Sequence, residues 1–576
     1  MAEQQSDSLK ALPNVALELV DWDWRDIEAH FLILESQPLD AETVDDWLAA
    51  WSHLKGLVGE ALERLYVART LDTADQSRED RYNNYLENAH TPAEEHEQVL
   101  KKMLLESGLE PEGFAILIRN LRAQAQLFRE ANLPLLVEEK KVASGYDKII
   151  GAQSAEWEGE TITLPRLYRE LERPDRSTRE KAWRLAMDQY MADRPAINKV
   201  WKSLFKLRSE IAANADHPDY RAYAWQDRLR LEYSPDDCLR FHDAIEAVVV
   251  PAASRILDRR RATLHLDSLR PWDMQADRLD RPPLEPFSTA EELIDKASNI
   301  FHSVDPELGG YFDTMNSEGL LDLDNREGKA PGGYAEYFLN AKRPFIFMNA
   351  VGTAGNVETL LHEGGHAFHV FEFANLPYVQ QMTIPHEFAE VASMSMELLS
   401  APYLTTANGG FYSESESARS RIKHLEGIVL FWPYMAVVDA FQHWAYTNAQ
   451  LAPDPAACDA QWALQWDRFM PDTDYSGLEQ EKMTGWHRKL HIFRYPFYYV
   501  EYGLARLGSV QIWKNAMGDQ AGAVKQYREA LALGGTVPLV ELYQSAGAKL
   551  AFDEQTLGEA ISLIESTLGE LQQTEA

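Results

Sequence analysis

The feature of this sequence that most restricts its folding is a pair of histidines, His362 and His366, with Glu363 directly after the first. Two imidazoles four positions apart converge on one metal ion when the segment is α-helical, because such residues lie above one another on a helix. The Glu363 carboxylate then lies beside the ion, where it can take a proton from a metal-activated water. The motif therefore predicts a metal-binding helix at about 357–372.

The residues around the motif predict an amphipathic helix with an unusual polar face. Apolar residues cluster on one side of it: Val357, Leu360, Leu361, Phe368 and Phe371. His369 shares the other side with His362, but it lies about 10 Å further along the axis, too far to bind the same ion. Gly364 falls on the apolar stripe, where we expect close helix packing. Gly365 borders the histidine face, where we expect its missing side chain to leave room for a substrate backbone.

A third metal ligand must come from another part of the chain, and a carboxylate on a following helix is a common solution. The segment IPHEFAEVASMSMELLS offers Glu387, Glu390 and Glu397. Glu390 and Glu397 share a helix face two turns apart, so one could bind the ion while the other accepts a hydrogen bond from a ligating histidine. Spacing alone leaves this choice open.

Helical periodicity dominates the rest of the chain and predicts long helices over 178–214 and 237–263. The exception lies between about 320 and 356, where the Gly-rich stretch NREGKAPGGYAEYF precedes RPFIFMNAVGT. Glycine and proline disfavour a helix there, and the apolar run at 345–348 is typical of a strand. We expect a mainly α protein with a small β element next to the metal-binding helix.

Composition excludes several classes of function. The formal net charge of −35 disfavours binding to nucleic acid or to an anionic membrane surface. The two cysteines, Cys238 and Cys458, are too few for a disulfide framework and form no CxxC pair for a thiolate zinc site. The N-terminal stretch has no basic region followed by an apolar run, and no stretch approaches the length of a membrane span. We therefore expect a cytoplasmic protein.

A segment rich in histidine and tyrosine, HRKLHIFRYPFYYVEYG, follows near the C-terminus. A phenol or an imidazole near a metal site can donate a hydrogen bond to the oxyanion that forms when water attacks an amide. The same spacing is typical of an aromatic helix packed in the core. The candidate residues are His487, His491, Tyr495, Tyr498, Tyr499 and Tyr502.

Several of these motifs together resemble the M3 family of zinc metallopeptidases, in particular the oligoendopeptidase F type, which is related to thimet oligopeptidase. The resemblance is carried by HEGGHAFH, EVASMSMELL and HIFRYPFYYVEYG, and is extended by GKAPGGY, FIFMNAVGT and ALALGGTVPLVELYQSAGAKLAFD. It covers residues from about 320 to 555 well. The doubled glycine of HEGGH is less common than a single one, but it leaves the ligand spacing intact.

The resemblance implies an elongated, two-lobed helical body with a deep channel that admits oligopeptides. We expect the chain to divide into an N-terminal helical lobe, residues 1–190, and a catalytic region, residues 191–576. The strand around 345–350 would pair with the substrate backbone.

For the site, the resemblance implies one zinc ion per chain, bound by His362, His366 and Glu390, with Glu363 as the general base. The C-terminal set would stabilise the tetrahedral intermediate: His491 and Tyr502 are the first candidates, and Tyr498 and Tyr499 compete for one further role.

We therefore expect a zinc-dependent endopeptidase that hydrolyses internal bonds of oligopeptides, binds neither nucleic acid nor membrane, and is a monomer or a homodimer. A metallocarboxypeptidase or dipeptidase is an alternative, and Arg494 could then bind a free terminus of the substrate. A non-catalytic peptide-binding protein with a structural zinc is a second alternative, although structural sites usually fill all four positions with protein ligands.

Overall fold

The computed structural model describes residues 9–575, most of which lie in helices. The α-helices are α1 (Trp24–Ser36), α2 (Val44–Leu71), α3 (Gln76–Tyr85), α4 (Thr91–Ser107), α5 (Ala115–Leu127), α6 (Leu133–Gly151), α7 (Leu164–Tyr168), α8 (Arg176–Asn214), α9 (Tyr220–Asp227), α10 (Pro235–Ala244), α11 (Val250–Thr263), α12 (Ala290–Val304), α13 (Pro306–Ser317), α14 (Ala354–Phe373), α15 (His386–Ser400), α16 (Glu414–Thr447), α17 (Pro455–Phe469), α18 (Glu479–Met483), α19 (Leu490–Arg494), α20 (Tyr499–Gly518), α21 (Gln520–Leu531), α22 (Leu539–Ser545) and α23 (Glu554–Glu575). The prediction of a mainly α protein is confirmed, including the long helix over 178–214.

The strands form two small sheets. They are β1 (Ser154–Trp157), β2 (Glu160–Thr163), β3 (Leu321–Asp324), β4 (Tyr334–Phe338) and β5 (Arg343–Ala350). An antiparallel β1–β2 pair makes one sheet, and the other has the order β3–β5–β4, with β3 parallel and β4 antiparallel to β5. The three-stranded sheet directly precedes the predicted metal-binding helix, α14, so the expected β element is confirmed.

The position of β5 corrects one expectation about substrate binding. We expected the strand around 345–350 to pair with a substrate backbone. Instead, β5 lies in the centre of its sheet: residues 343–347 pair with β4, and residues 346, 347 and 350 pair with β3. Over residues 346–347 the neighbouring strands therefore use its backbone hydrogen-bonding groups on both sides. An extended peptide can be added only at an edge strand. The edges of this sheet are β3 and β4.

The chain folds into two compact units that interleave along the sequence. The first unit contains the residues up to Arg122, Glu285–Ser413 and Gly508–Leu550; the second contains Ala123–Leu284, Glu414–Leu507 and the residues from Ala551 onwards. The first unit holds the β3–β5–β4 sheet with α14 and α15, and the second holds α8, α16 and α19. The predicted division at residue 190, the elongated shape and the channel stay predictions.

Within residues 9–575, no helix combines the length and the apolar character needed to cross a membrane. Residues 1–8, which belong to the N-terminal stretch predicted to carry no signal segment, lie outside the described residues.

Candidate metal centre

The start of α14 is fixed by a capping box just after the three-stranded sheet. The Asn356 side chain accepts hydrogen bonds from the backbone N–H groups of Thr353 (3.1 Å) and Val351 (2.9 Å). These bonds compensate for the unpaired groups at a helix N-terminus and set the direction in which the helix leaves the sheet. The helix then runs through the HEGGH motif without a break.

The two glycines of the motif let other helices approach α14 closely. A Cβ atom at Gly364 would lie 2.6 Å from the ring of Phe301 on α12, so the expected close packing at this glycine is observed. A Cβ atom at Gly365 would lie 2.5 Å from the Cα atom of Ser393 and 2.6 Å from the carbonyl oxygen of Ala392. The space beside Gly365 is therefore filled by the backbone of α15, and our expectation of room for a substrate at this position is wrong.

This close approach brings a carboxylate from α15 to the two histidines of α14. Nitrogen atoms of His362 and His366 and a carboxylate oxygen of Glu390 all lie within 4.8 Å of one another. The Nε2 atom of His362 is 3.5 Å from the Oε2 atom of Glu390. Two imidazoles and one carboxylate are a donor set that suits zinc, and they leave a coordination position for water. The residues present therefore fit the metal that the sequence predicts.

Glu397 lies beside the same histidine but on its other ring nitrogen. Its Oε1 atom is 2.6 Å from the Nδ1 atom of His362. A carboxylate in this position fixes the ring orientation and leaves Nε2 for the metal. In the structure Glu390 meets both histidines, whereas Glu397 contacts only His362. This geometry favours Glu390 as the third ligand, and its role stays a prediction. Among the described residues, neither Glu387 nor His369 joins this donor group, and His369 is fully buried against the rings of Phe373 and Phe388.

Glu363, a residue of α14, is 9% exposed, and its side chain contacts the edge strand β4. Its carboxylate accepts a hydrogen bond from the backbone N–H of Ala335. Burial raises the pKa of Glu363 to about 7; the charge of His362 acts against this shift and that of Glu390 adds to it. Sequence reasoning missed the contribution of β4, although the aromatic residues Tyr334, Tyr337 and Phe338 are of a type enriched in strands.

The two histidines have opposite electrostatic environments. Burial lowers the pKa of His366 well below its usual value, and the nearby His362 and His369 act in the same direction. Burial also opposes the charged form of His362, but the hydrogen bond to Glu397 and the charges of Glu397 and Glu390 raise its pKa to about 9. A metal ion binds the neutral imidazole, so loading the site would release a proton from His362.

The His/Tyr segment, residues 487–502, belongs to the second unit. Its tyrosines surround His491: the ring centroids of Tyr499, Tyr498 and Tyr502 lie 4.8, 5.8 and 6.0 Å from that of His491. Burial, with the charges of Lys489 and Arg228, lowers the pKa of His491 to about 3. His491 is therefore a neutral imidazole with one N–H to donate.

Two other candidates in this segment differ from that cluster. His487 is buried and its Nε2 atom lies 2.6 Å from the Oδ1 atom of Asn198, a contact typical of a structural histidine. Tyr495 is 47% exposed.

Sequence reasoning missed one residue of this segment, Lys489. Its Nζ atom lies 3.6 Å from the ring centroid of Tyr499, and burial lowers its pKa to about 7.

Arg494 was the sequence-based candidate for binding a substrate terminus in an exopeptidase. In the structure its Nη1 atom lies 3.3 Å from a carboxylate oxygen of Asp147. This partly exposed ion pair gives the guanidinium a partner within its own unit, so no observation favours the exopeptidase alternative.

A second group of potential metal donors, Cys238, Asp439 and His443, is buried in the second unit. An arginine nitrogen, Nη1 of Arg221, lies 3.4 Å from the Nδ1 atom of His443. Because arginine only donates, Nδ1 must accept and Nε2 must carry the proton. The Oδ2 atom of Asp439 lies 3.2 Å from Nε2 of His443 and is hydrogen-bonded to Nε2 of His242 at 2.9 Å. We interpret this group as a hydrogen-bond network that joins α10 to α16.

Comparisons with known proteins identify the family of this chain. The model of the family described as Peptidase family M3 matches residues 170–560. Oligopeptidase PepF of Bacillus subtilis (strain 168) is 24% identical over 338 residues, which is 56% of this chain and 47% of the relative. Oligoendopeptidase F, chromosomal, of Lactococcus lactis subsp. cremoris is 22% identical over 384 residues, 64% of this chain and 60% of the relative. The chain thus spans about half the length of these curated relatives.

A solved structure extends the similarity to nearly the whole chain. "PZ peptidase A with inhibitor 2" superimposes with a TM-score of 0.85 at 26% identity, covering 96% of this chain and 98% of that one. The family resemblance drawn from HEGGH and its neighbours is confirmed, and the family implies a metal cofactor. Because the family match covers more than half of the sequence and includes both α14 and α15, the chain belongs to peptidase family M3.

Proposed function

We propose that this chain is a zinc-dependent endopeptidase that hydrolyses internal peptide bonds of short oligopeptides. The observation that supports this most is the convergence of His362, His366 and Glu390, with the carboxylate of Glu363 beside them. Three protein ligands are typical of a catalytic zinc site, since a structural site usually has four. The names of the relatives, an oligopeptidase and an oligoendopeptidase, support oligopeptides as substrates.

The proposed chemistry assigns each side chain one task. A bound zinc ion would supply Lewis acidity, which makes a water molecule a better nucleophile and polarises the scissile carbonyl. Glu363 takes the proton of the attacking water and passes it to the leaving amine. Its burial and its contact with β4 hold the carboxylate in one orientation. Glu397 accepts a hydrogen bond from the Nδ1–H group of His362, so that the Nε2 atom stays available as a metal ligand.

Two further contributions rest on the family resemblance. We propose that a substrate backbone pairs with the outer edge of β4, the edge strand whose Ala335 N–H points to Glu363. We also propose that His491 and Tyr502 donate hydrogen bonds to the oxyanion of the tetrahedral intermediate. Tyr498 and Tyr499 remain alternative donors, because all three tyrosines border the same imidazole.

We also propose a cytoplasmic location for this activity, because two cysteines are too few for the disulfide framework typical of an oxidising compartment.

Cleavage of a quenched fluorescent peptide that is blocked at both ends tests the proposed function. We expect cleavage by the native protein, loss of cleavage with a chelator, and recovery when zinc is restored. Glu363→Gln should bind one zinc ion per chain and lose at least about 100-fold in kcat, the contribution typical of a general base. Full activity of this variant with zinc bound would refute the assigned role of Glu363.

The same assay separates the alternatives. Trimming of an unblocked peptide, with the blocked peptide intact, would show an exopeptidase. Zinc binding without cleavage of either peptide would show a peptide-binding protein. Analysis of the products by mass spectrometry identifies the bond that is cut and distinguishes internal from terminal cleavage.

A further inference from the structure

The backbone of the His/Tyr segment has an unusual conformation that its own residues cannot maintain. Helix α19 is only five residues long, so most of its carbonyl groups have no partner within the helix. After it, Phe497 adopts a left-handed conformation, with φ of 62°. This conformation costs a residue with a side chain about 1–2 kcal/mol. A segment of this kind keeps one geometry only when surrounding groups hold it.

Arg208, a fully buried residue of α8, binds the end of α19. Its guanidinium donates to the carbonyl oxygens of Ile492 (3.1 Å) and Phe493, the two residues that follow His491. The same group donates to the carboxylate of Glu139 at 2.7 Å, which compensates for the buried charge. The planar fork of the guanidinium therefore fixes the position of the peptide backbone next to His491.

Two further arginines bind the turn after α19. Arg230 donates to the carbonyl oxygen of Phe497 and to the carboxylate of Glu501, the neighbour of Tyr502 in α20. Arg228 donates to the carbonyl oxygen of Pro496 at 2.7 Å. The backbone N–H of Phe497 in turn donates to a buried amide oxygen, that of Gln442, at 2.8 Å. Both polar groups of the left-handed residue are thus held by side chains from outside the segment.

We propose that Arg208, Arg228 and Arg230 are positioning residues for catalysis, which hold His491 and Tyr502 in the geometry that the reaction needs. This inference rests on the oxyanion-stabilising role proposed above. Arg208 also donates to the hydroxyl of Tyr446 at 2.8 Å, and the guanidinium carbon of Arg228 lies 5.4 Å from the ring centroid of Tyr498. All of these partners belong to the second unit, so we assign the arginines a role in holding the segment and not a role on the substrate. A displacement of about 1 Å in a catalytic group can lower the rate about 100-fold, whereas substrate affinity depends on many other contacts.

Arg208→Lys tests the proposal, with Arg179→Lys as a matched control. Arg179 also lies on α8, is 2% exposed, and donates to the carbonyls of Trp272, Arg173 and Pro174 and to Asp273. Both substitutions keep the positive charge but replace the planar guanidinium with an ammonium group that cannot make the same set of hydrogen bonds. Both should therefore lower the melting temperature. We expect R208K to lower kcat by at least about tenfold, with KM changed less than about threefold and one zinc per chain retained. R179K should change kcat less than about twofold.

A double-mutant cycle with His491→Ala then shows whether the effect passes through the segment. In the H491A background, R208K should lower kcat by less than about twofold, because the group that it positions is already absent. Equal kcat losses in R208K and R179K, or multiplicative losses in the double variant, would overturn the inference. If R208K does not fold, Arg228→Lys, at a less buried position, replaces it, with the same direction expected. An H491A variant with native kcat would overturn the oxyanion role and this inference together.

Discussion

Adding a single methyl group at Gly365 tests whether the metal site depends on the close contact between α14 and α15. The new Cβ atom would lie 2.5 Å from the Cα atom of Ser393, whereas non-bonded carbon atoms prefer about 3.5–4.0 Å. The helices must therefore move apart by about 1 Å, since a backbone atom cannot rotate away. The cost of such overpacking is about 1–3 kcal/mol. The higher helix propensity of alanine offsets about 1 kcal/mol of it.

The effect on metal affinity should be larger than the effect on stability. Glu390 lies on α15 one turn before Ser393, so a movement of that helix carries the carboxylate away from His362 and His366. Metal–ligand distances tolerate changes of only about 0.2 Å. We therefore expect Gly365→Ala to weaken zinc binding at least about tenfold, which corresponds to about 1.4 kcal/mol.

Two other glycines of α14 are the matched controls. At Gly364 the three atoms nearest to a Cβ would all belong to the ring of Phe301, the first at 2.6 Å, so Gly364→Ala should lower stability and leave zinc affinity within about twofold. At Gly355 the nearest atom would be the hydroxyl oxygen of Thr353 at 3.9 Å, so Gly355→Ala should keep or raise stability. Calorimetry measures the melting temperatures, and competition with a chelator measures zinc affinity. Equal zinc affinity in the Gly365 and Gly364 variants would refute the reasoning.

Two further predictions concern carboxylates of the first unit. Glu397→Ala removes the 2.6 Å contact to His362 and should weaken zinc binding about 10–100-fold in the same chelator competition; unchanged affinity would contradict the supporting role of Glu397. Burial and the neighbouring Glu336 raise the pKa of Glu63 from 4.5 to about 8. Because the folded state holds this proton more tightly, stability should fall as pH rises from about 4.5 to about 8. Glu63→Gln should make the melting temperature less sensitive to pH over this range, and an unchanged slope would count against the buried pair.

The part of the metal site that lies on one helix could be predicted from the sequence. The spacing of His362 and His366 and the apolar stripe opposite them are properties of helical geometry, which does not depend on distant residues. The third ligand was different, because both Glu390 and Glu397 satisfy the same periodicity. The choice between them follows from the depth to which α15 packs against Gly365. That depth is a tertiary property, and no local pattern contains it.

The three-stranded sheet also shows that a local sequence pattern predicts an element but not its position in the fold. The apolar run Phe345, Ile346, Phe347 and Met348 predicted a strand, and all four side chains are buried in β5. A pattern of this kind indicates a strand that is covered on both faces of its sheet. It does not tell whether the strand lies at the edge or in the centre of the sheet, and the central position of β5 is a tertiary property. The more polar YAEYF at 334–338 fits an edge better, and β4 is the strand that contacts Glu363.

The His/Tyr segment is where local pattern and final structure differ most. His491, Tyr495, Tyr498 and Tyr502 follow the three- and four-residue spacing of a single helix. The structure instead ends α19 at Arg494 and begins α20 at Tyr499. Pro496 disfavours helical geometry at the residue before it, but a proline alone does not determine the path that the chain then takes.

That path is determined by residues from distant parts of the sequence. Arg208 and Arg230 lie more than 260 positions before the carbonyl groups that they bind, and Gln442 comes from another helix, α16. These contacts hold Phe497 in a conformation that it would rarely adopt alone. The tyrosines gather around His491 although no continuous helix joins them. Residue identities in this segment could thus suggest chemistry, whereas its geometry depends on tertiary hydrogen bonds to the backbone. Because of this dependence, we expect the conservative change Arg208→Lys to lower kcat, although Arg208 is fully buried and is proposed to act only through the segment.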